Sequence, residues 1–275
     1  MLSAVIDLGT NTFHLLIAEV GKDGAWKKVL HRKITVRLGK GGIHKGEIAP
    51  AAFQRGLKAL SVFKTELNRK SVKKIRAFGT AAIRSASNGA AFRKSFRQLI
   101  GVDLSVIDGE TEAELICQGV RQAVAMGDDK CLIMDIGGGS TEFIIADSKK
   151  IYWKKSYKLG STYLLETFQP ADPMNKSDLR RIKGYFMETL QPMVEAVRKH
   201  QPVHLIGSAG SFETFSSMIR HRHPESGSHY GKKSHRTSIK QFQMLNKDLI
   251  HSTHDERIRM RGLLRMRAEI GRAHV

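Results

Sequence analysis

Residues 132–146 read LIMDIGGGSTEFIIA, and this stretch decides how the rest of the chain is interpreted. An apolar run ends in Asp135, three glycines follow, and a second apolar run begins after Glu142. This order predicts a strand, a tight glycine turn and a second strand. Glycines let backbone N–H groups approach a ligand closely, and converging N–H groups form an anion-binding nest. Asp135 and Glu142 place carboxylates beside that nest, which indicates a site for Mg²⁺. The alternative is a plain hairpin, for which three glycines are more than the turn needs.

A second copy of the pattern lies 128 residues earlier in the chain. Residues 6–9 (IDLG) correspond to residues 134–137 (MDIG), and residues 13–18 correspond to residues 141–146. Two copies of strand, Asp-x-Gly turn and strand indicate duplicated α/β domains that face each other across a cleft. Chance similarity of two hairpins is the alternative. We expect the first domain over residues 1–125 and the second over residues 126–275.

The composition is that of a globular protein with an unusually basic surface. The 46 Lys and Arg residues against 26 Asp and Glu give a net charge of +20 in 275 residues. Such a field attracts polyanions, which include polyphosphate, phosphorylated nucleotides, anionic lipid and nucleic acid. Charge alone does not choose among them, because phosphate affinity of this kind is independent of sequence.

Other features bear on the cellular location. No apolar run reaches the ~18 residues of a membrane span. The first twenty residues lack a basic start, and Asp7 and His14 interrupt their apolar run, so we expect no signal peptide. Cys117 and Cys131 have no neighbours at metal-ligand spacing and are expected as buried small hydrophobes in a reducing compartment. A cytoplasmic location is expected.

Further turns carry phosphate-binding chemistry. The predicted strand 72–78 leads into Gly79-Thr80 with Arg84 close behind, and Arg donates paired hydrogen bonds to phosphate. The predicted strand 203–206 leads into Gly207-Ser208. Three glutamates at positions 110, 112 and 114 open a helix predicted over residues 111–126. They suit the helix dipole, and one of them could instead be a general base.

The C-terminal third is expected to be largely helical. Residues 177–200 predict a long helix with a break near Pro192, and residues 239–251 and 255–270 predict two more helices. Residues 220–236 hold four histidines among Lys and Arg, and a solvated basic loop is favoured over a metal site there.

Together these residues resemble the exopolyphosphatase/guanosine pentaphosphate phosphohydrolase family, which belongs to the actin-like ATPase-fold superfamily. Residues 7–14 (DLGTNTFH) resemble the family's first phosphate loop, and residues 135–142 (DIGGGSTE) match its second loop completely. Residues 109–114 (GETEAE) resemble its S-G-x-E-E-A run, with Thr111 and Asp108 as departures. Residues 207–211 (GSAGS) resemble its G-A-S-G-T turn. The resemblance implies two ribonuclease H-like domains.

The resemblance implies a role for each motif. Glu112 would be the catalytic base, and Arg84 would bind the transferred phosphoryl group. Mg²⁺ would be held by Asp135 and Glu142, with Asp7 contributing. The phosphate-binding residues would be Gly9, Thr10, Asn11, Thr12, Thr80, Gly137, Gly138, Gly139, Ser140, Thr141, Gly207 and Ser208.

The end of the chain departs from the family pattern. The final strand and helix of the fold are absent, and residues 270–275 (IGRAHV) match what one frame of a common sequencing adapter would encode. A truncated reading frame is therefore expected, with part of the second domain missing.

The implied reaction is Mg²⁺-dependent hydrolysis of a terminal phosphoanhydride, with inorganic polyphosphate as the substrate. Guanosine pentaphosphate is the alternative substrate, because both need the same phosphate loops. A non-catalytic binder of polyanions or nucleic acid is an alternative of another class, and the set of Glu112, Asp135 and Glu142 argues against it. A kinase that uses ATP is weaker still. We expect no membrane or nucleic-acid partner, and a homodimer would suit the family.

Overall fold

The computed structural model describes residues 1–224 and 234–273. The chain divides into two compact units, Met1–Gly109 and Glu110–Val275. Each unit is built on one mixed β-sheet with helices around it. Within the described residues, no helix is both long enough and apolar enough to cross a membrane.

The first unit contains a five-stranded sheet in the order β3-β2-β1-β4-β5. The strand β1 pairs antiparallel with β2 and parallel with β4. The elements are β1 (Leu2–Leu8), β2 (Thr12–Val20), β3 (Trp26–Thr35), α1 (Pro50–Arg69), β4 (Lys74–Gly79), α2 (Ala81–Arg84), α3 (Gly89–Ile100) and β5 (Ser105–Val106).

Aromatic packing holds α1 and α3 against one face of this sheet. Phe13 of β2 and Phe92 of α3 are fully buried, with ring centroids 6.4 Å apart in an edge-to-face arrangement. Phe53 of α1 meets the same Phe92 ring at 5.0 Å. Gly56 lets the two helices approach, since an added Cβ would lie 2.8 Å from the Phe92 ring. The core of the unit therefore lies on the Phe13 side of β2.

The second unit contains a four-stranded sheet in the order β8-β7-β6-β9. Here β6 pairs antiparallel with β7 and parallel with β9. The elements are α4 (Gly109–Ala123), β6 (Cys131–Ile136), β7 (Thr141–Ala146), β8 (Ile151–Tyr157), α5 (Ser161–Phe168), α6 (Lys176–Thr189), α7 (Gln191–His200), β9 (His204–Ser208), α8 (Ala209–Arg222), α9 (Ile239–His251), α10 (His254–Arg257) and α11 (Ile270–Ala273).

Helix α4 packs on the second sheet, although the expected boundary after residue 125 assigned it to the first domain. Its buried residues Ala113, Cys117 and Val120 form one cluster with Ile133 of β6 and Ile144 of β7. The amphipathic pattern of the helix predicted a buried stripe but not which sheet would bury it. The boundary between the compact units consequently lies between Gly109 and Glu110.

The predicted duplication is confirmed by the backbone of both sheets. In the first turn the Gly9 amide donates to the Thr12 carbonyl at 3.1 Å, and in the second the Gly137 amide donates to the Ser140 carbonyl at 3.0 Å. The β2–β3 pairing is irregular at residues 17/18, and the β7–β8 pairing is irregular at the equivalent residues 145/146. The two units thus repeat the same hairpin geometry, as the duplicated α/β fold class requires.

The C-terminal region differs from the sequence-based expectation. The single helix predicted over residues 255–270 is wrong. The chain instead forms α10, a 3-10 turn at Arg265–Arg267 and α11. Gly262, with φ +84°, interrupts any continuous helix, because other residues rarely adopt that conformation. The break near Pro192 is confirmed, since α6 ends at Thr189 and α7 begins at Gln191. The basic loop expected over residues 220–236 falls mostly on residues 225–233, which lie outside the described residues.

Candidate active site

A row of four polar side chains crosses the second sheet. Ser156 of β8 pairs with Glu142 of β7, Glu142 pairs with Asp135 of β6, and Asp135 pairs with Ser208 of β9. Side chains at paired positions lie on the same face of a sheet. The Ser156 hydroxyl donates to the Glu142 carboxylate at 2.7 Å, and Ser208 hydrogen-bonds Asp135. The structure therefore brings Asp135, Glu142 and Ser208 into one row, whereas the sequence placed only Asp135 and Glu142 side by side.

Burial perturbs both carboxyl groups of this row. Glu142 is 1% exposed, and burial, together with the nearby charges of Glu112 and Asp135, raises its pKa to about 8. Hydrogen bonds from Ser156 and Ser140 act in the opposite direction. Burial also raises the pKa of Asp135, while its Ser208 hydrogen bond lowers it. Carboxyl groups with raised pKa values at the ends of strands are typical of functional sites.

Glu112 lies over the same part of the sheet as the polar row. It sits on the first turn of α4, next to the buried Ala113 that anchors the helix on the sheet. Its side chain is half-buried. Its charge raises the pKa of Glu142, so the two carboxylates are close enough to interact electrostatically. Glu112 therefore contributes to the electrostatics of the polar row.

The triple-glycine turn beside this row has its carbonyl groups turned towards α5. The carbonyl of Gly137 accepts from the Ser161 amide at 3.0 Å, and that of Gly138 accepts from the Thr162 amide at 2.8 Å. Among the described residues, the amides of Gly138 and Gly139 donate no hydrogen bond. Free amides in a tight turn are the donors of an anion-binding nest.

Two hydroxyl residues complete the second turn. Ser140 is buried and hydrogen-bonds Glu142, so it belongs to the same polar cluster. Thr141 is 2% exposed, and its hydroxyl donates to the Leu159 carbonyl at 2.9 Å. The Thr141 hydroxyl thus already has an internal acceptor.

The first turn has its carbonyl groups directed into its own unit. The Thr10 carbonyl accepts from the Gly39 amide, and the Asn11 carbonyl accepts from the amides of Val36 and Arg37. Thr10 and Thr12 are buried, and Gly9 approaches the Thr12 carbonyl so closely that an added Cβ would lie 3.0 Å from it. Gly137 has the same 3.0 Å approach to Ser140. The turn containing Gly9, Thr10, Asn11 and Thr12 is therefore built like the second one.

The chemistry of the first sheet differs at the position equivalent to the polar row. Asp7 pairs with His14, and His14 pairs with Lys33. Burial, followed by the charges of Lys33 and His31, lowers the pKa of His14 to about 4. A neutral imidazole and a lysine thus stand where the second sheet has Glu142 and Ser156. Asp7 is exposed and belongs to the first unit.

Thr80 and Arg84 lie next to the first turn in the same unit. The Thr80 amide donates to the carbonyl of Leu8 at 3.3 Å, which places Thr80 beside the end of β1. Arg84 ends α2, and its guanidinium donates to the Ile107 carbonyl at 2.8 Å. One nitrogen of the fork is therefore engaged in fixing the chain just before α4.

Gly207 and Ser208 form the junction between β9 and α8. Ser208 precedes the first residue of α8. An added Cβ on Gly207 would overlap the Phe212 ring, so the strand requires glycine there. The Gly207-Ser208 turn is thus positioned by packing, with Ser208 directed to Asp135.

The donor set fits a magnesium ion held with the help of water and phosphate. No group of three or more His, Cys, Asp or Glu side chains in the described part of the chain converges as a ready-made metal cage. Mg²⁺ usually retains several waters and binds through one or two carboxylates plus substrate phosphates. Asp135 and Glu142 supply two such carboxylates. Burial is the largest cause of their raised pKa values, and a bound cation would favour their ionised form.

Sequence reasoning missed Ser156 and Gly160. Ser156 is 14 residues from Glu142, and only the β7–β8 register brings it to the carboxylate. Gly160 packs directly on the peptide backbone of Gly138 and Gly139, where no side chain fits. A glycine just before a predicted helix was the available signal, and it also suits an ordinary helix start.

The comparisons with known proteins relate this chain to a family of phosphatases. The model of the Ppx/GppA phosphatase family matches residues 16–275. A crystal structure of an exopolyphosphatase from Cytophaga hutchinsonii ATCC 33406 is 40% identical, with a TM-score of 0.92 over 98% of this chain and 86% of that chain. The Aquifex aeolicus member of the Ppx/GppA family is 25% identical, with a TM-score of 0.75 over 99% of this chain and 87% of that chain.

Curated relatives point the same way. The guanosine-5'-triphosphate,3'-diphosphate pyrophosphatase of Aliivibrio fischeri (strain ATCC 700601 / ES114) is 32% identical over 216 residues. That of Photobacterium profundum is 32% identical over 219 residues. These matches cover 78% and 79% of this chain, but the chain spans only 43% and 44% of the length of those relatives. Because the family model matches residues 16–275 of the 275 in this sequence, the chain belongs to the Ppx/GppA phosphatase family.

Proposed function

We propose that this chain hydrolyses terminal phosphoanhydride bonds, most directly those of inorganic polyphosphate, and releases orthophosphate. The observation that carries the proposal is the polar row of the second sheet, with Glu112 above it and the free amides of the triple-glycine turn beside it. Family membership supports the same reaction. The net charge of +20 favours a long polyanionic substrate.

Glu112 is the proposed general base. Its carboxylate would hold the attacking water and accept its proton as the water oxygen adds to the terminal phosphorus. The bond from that phosphorus to the bridging oxygen then breaks, and the shortened chain leaves. Phosphoryl transfer depends mainly on positioning and charge stabilisation, for which a carboxylate fixed on a packed helix is suited.

The remaining residues are proposed to hold phosphate and metal. The amides of Gly137–Thr141 and of Gly9–Thr12, with Thr80 and Ser208, would bind phosphate oxygens, and Arg84 would bind the transferred group. Asp135 and Glu142 would hold Mg²⁺, with Asp7 as a further candidate. When bound, Mg²⁺ neutralises charge that develops on the phosphate oxygens.

Guanosine pentaphosphate is the second candidate substrate. The names of the curated relatives at 32% identity support it. We favour polyphosphate as the substrate because the solved exopolyphosphatase is 40% identical to this chain and is matched over 86% of its own chain. A cytoplasmic location, a homodimeric state and the absence of nucleic-acid and membrane partners are further parts of the proposal.

The test is phosphate release from polyphosphate, guanosine pentaphosphate and ATP, each with and without Mg²⁺. We expect release from polyphosphate that requires Mg²⁺. Glu112→Gln should cut kcat by roughly 10²–10⁴-fold, the usual contribution of a general base. Glu195→Gln, the same chemical change at an exposed site on α7, serves as the control. Full activity of the Glu112 variant would remove Glu112 from this role, and absence of release from every substrate would refute the hydrolase.

A further inference from the structure

Lys154 lies on the face of the second sheet that α4 covers. It pairs with Ile144, and Ile144 pairs with Ile133, so the three form the row next to the polar row that contains Glu142. Ile144 and Ile133 belong to the apolar cluster beneath α4. The Lys154 side chain is 20% exposed and ends at the edge of this covered face.

The amine of Lys154 binds two consecutive turns of α4. It forms an ion pair and hydrogen bond with the Glu114 carboxylate. It also lies 3.5 Å from the Glu110 carboxylate and 3.4 Å from the Glu110 carbonyl. The hydrogen bond to Glu114 and the charges of Glu114 and Glu110 raise the pKa of Lys154, so the amine stays charged. One cation thus ties the start of α4 to β8.

Helical geometry relates the contacts of Lys154 to the position of Glu112. Residues 110 and 114 are one turn apart and share a face of the helix. At about 100° per residue, position 112 lies on the opposite flank of the buried stripe. Holding residues 110 and 114 against β8 therefore fixes the rotation of α4 about its axis, and this rotation determines where the Glu112 carboxylate points.

We propose that Lys154 is a positioning residue for Glu112. It acts by locking the rotation of the first two turns of α4 on the edge of the second sheet. The kinetic part of this inference rests on the proposed function, whereas the structural part concerns the helix alone. An exposed ion pair of ordinary kind would contribute little to stability and nothing to the placement of Glu112.

Two substitutions distinguish a positioning role of Lys154 from an ordinary surface ion pair. Lys154→Met keeps the length of the side chain and removes the amine, and Lys154→Arg restores a cation. Lys155→Met is the matched control, because Lys155 is the next residue of β8, is exposed and has its amine over the Tyr157 ring at 5.3 Å. Hydrogen exchange of the amides of residues 111–116 and steady-state phosphate release are measured for all four proteins.

We expect Lys154→Met to speed exchange of these amides about 10-fold or more, since local opening becomes easier. Its kcat on polyphosphate should fall roughly 10- to 100-fold with KM nearly unchanged, because a misdirected base impairs the chemical step and not binding. Lys154→Arg should recover most of both effects, and Lys155→Met should match the unsubstituted protein.

Equal exchange in Lys154→Met and Lys155→Met would overturn the inference. Faster exchange with unchanged kcat would also overturn the inference, because the contacts of Lys154 with α4 would then not position Glu112. If the unsubstituted protein released no phosphate from any substrate, the proposed function would fail, and the exchange comparison would still decide whether Lys154 fixes the helix. The failure of one proposal is therefore distinguishable from that of the other.

Discussion

Gly160→Ala isolates the contact that supports the triple-glycine turn. Gly160 has φ −71° and ψ 151°, a conformation that alanine adopts without strain. In an open site this substitution would stabilise the protein by about 0.4–1 kcal/mol, because it restricts the unfolded chain. At Gly160, however, the added Cβ would lie within 3.0 Å of three backbone atoms of Gly138 and Gly139. Because backbone cannot swing away as a side chain can, the turn itself must move.

The expected loss of stability follows from this overlap. Overpacking of a close-packed site costs about 1–3 kcal/mol, and a backbone obstacle favours the upper end. A loss of about 3 kcal/mol corresponds to a fall in Tm of about 6–12 °C for a unit of this size. Phosphate release should also fall, since the amides of Gly138 and Gly139 would shift.

The control for this prediction is Gly184→Ala in α6. An added Cβ at Gly184 meets no heavy atom within 4 Å. Alanine is favoured over glycine inside a helix by about 0.5–1 kcal/mol, so the control should raise Tm. Thermal unfolding followed by circular dichroism measures both variants. A Gly160→Ala protein as stable as the Gly184→Ala protein would refute the steric argument.

Two further predictions concern buried and titrating groups. Arg257 is fully buried and donates to the Asp172 carboxylate at 2.7 Å, so Arg257→Ala should lower the free energy of unfolding by about 3–5 kcal/mol. The control is Arg259→Ala, at an exposed position, which should change the free energy of unfolding little. Similar urea midpoints for the two variants would contradict this prediction. The Tyr152 hydroxyl and two backbone amides lower the pKa of Asp147 to about 2. The ionised carboxylate therefore stabilises the fold above about pH 4, and this contribution is lost as the pH falls towards 2. Tyr152→Phe should raise the pKa of Asp147 measured by NMR titration, and an unchanged value would exclude the hydroxyl as its main cause.

Much of the fold followed from local patterns. The Asp-x-Gly turns, each between two apolar runs, predicted both hairpins, because a glycine turn and an apolar run are properties of a few neighbouring residues. Their 128-residue spacing predicted the duplication, and the matched backbone bonds of Gly9 and Gly137 confirm it. The prediction of one helix over residues 255–270 was wrong because the positive φ of Gly262 and the burial of Arg257 depend on packing against distant residues.

The sequence by itself therefore determined the two hairpin turns, the duplicated α/β architecture and the identity of Asp135, Glu142 and Glu112 as candidate groups. Only the tertiary structure decided how those groups are supported. Ser156 reaches Glu142 through strand register, Lys154 reaches α4 across about forty residues of chain, and α4 itself is buried by the second sheet. The physical reason is that hydrogen bonds and close packing between sequence-distant residues depend on where whole elements lie, which no local pattern of residues encodes.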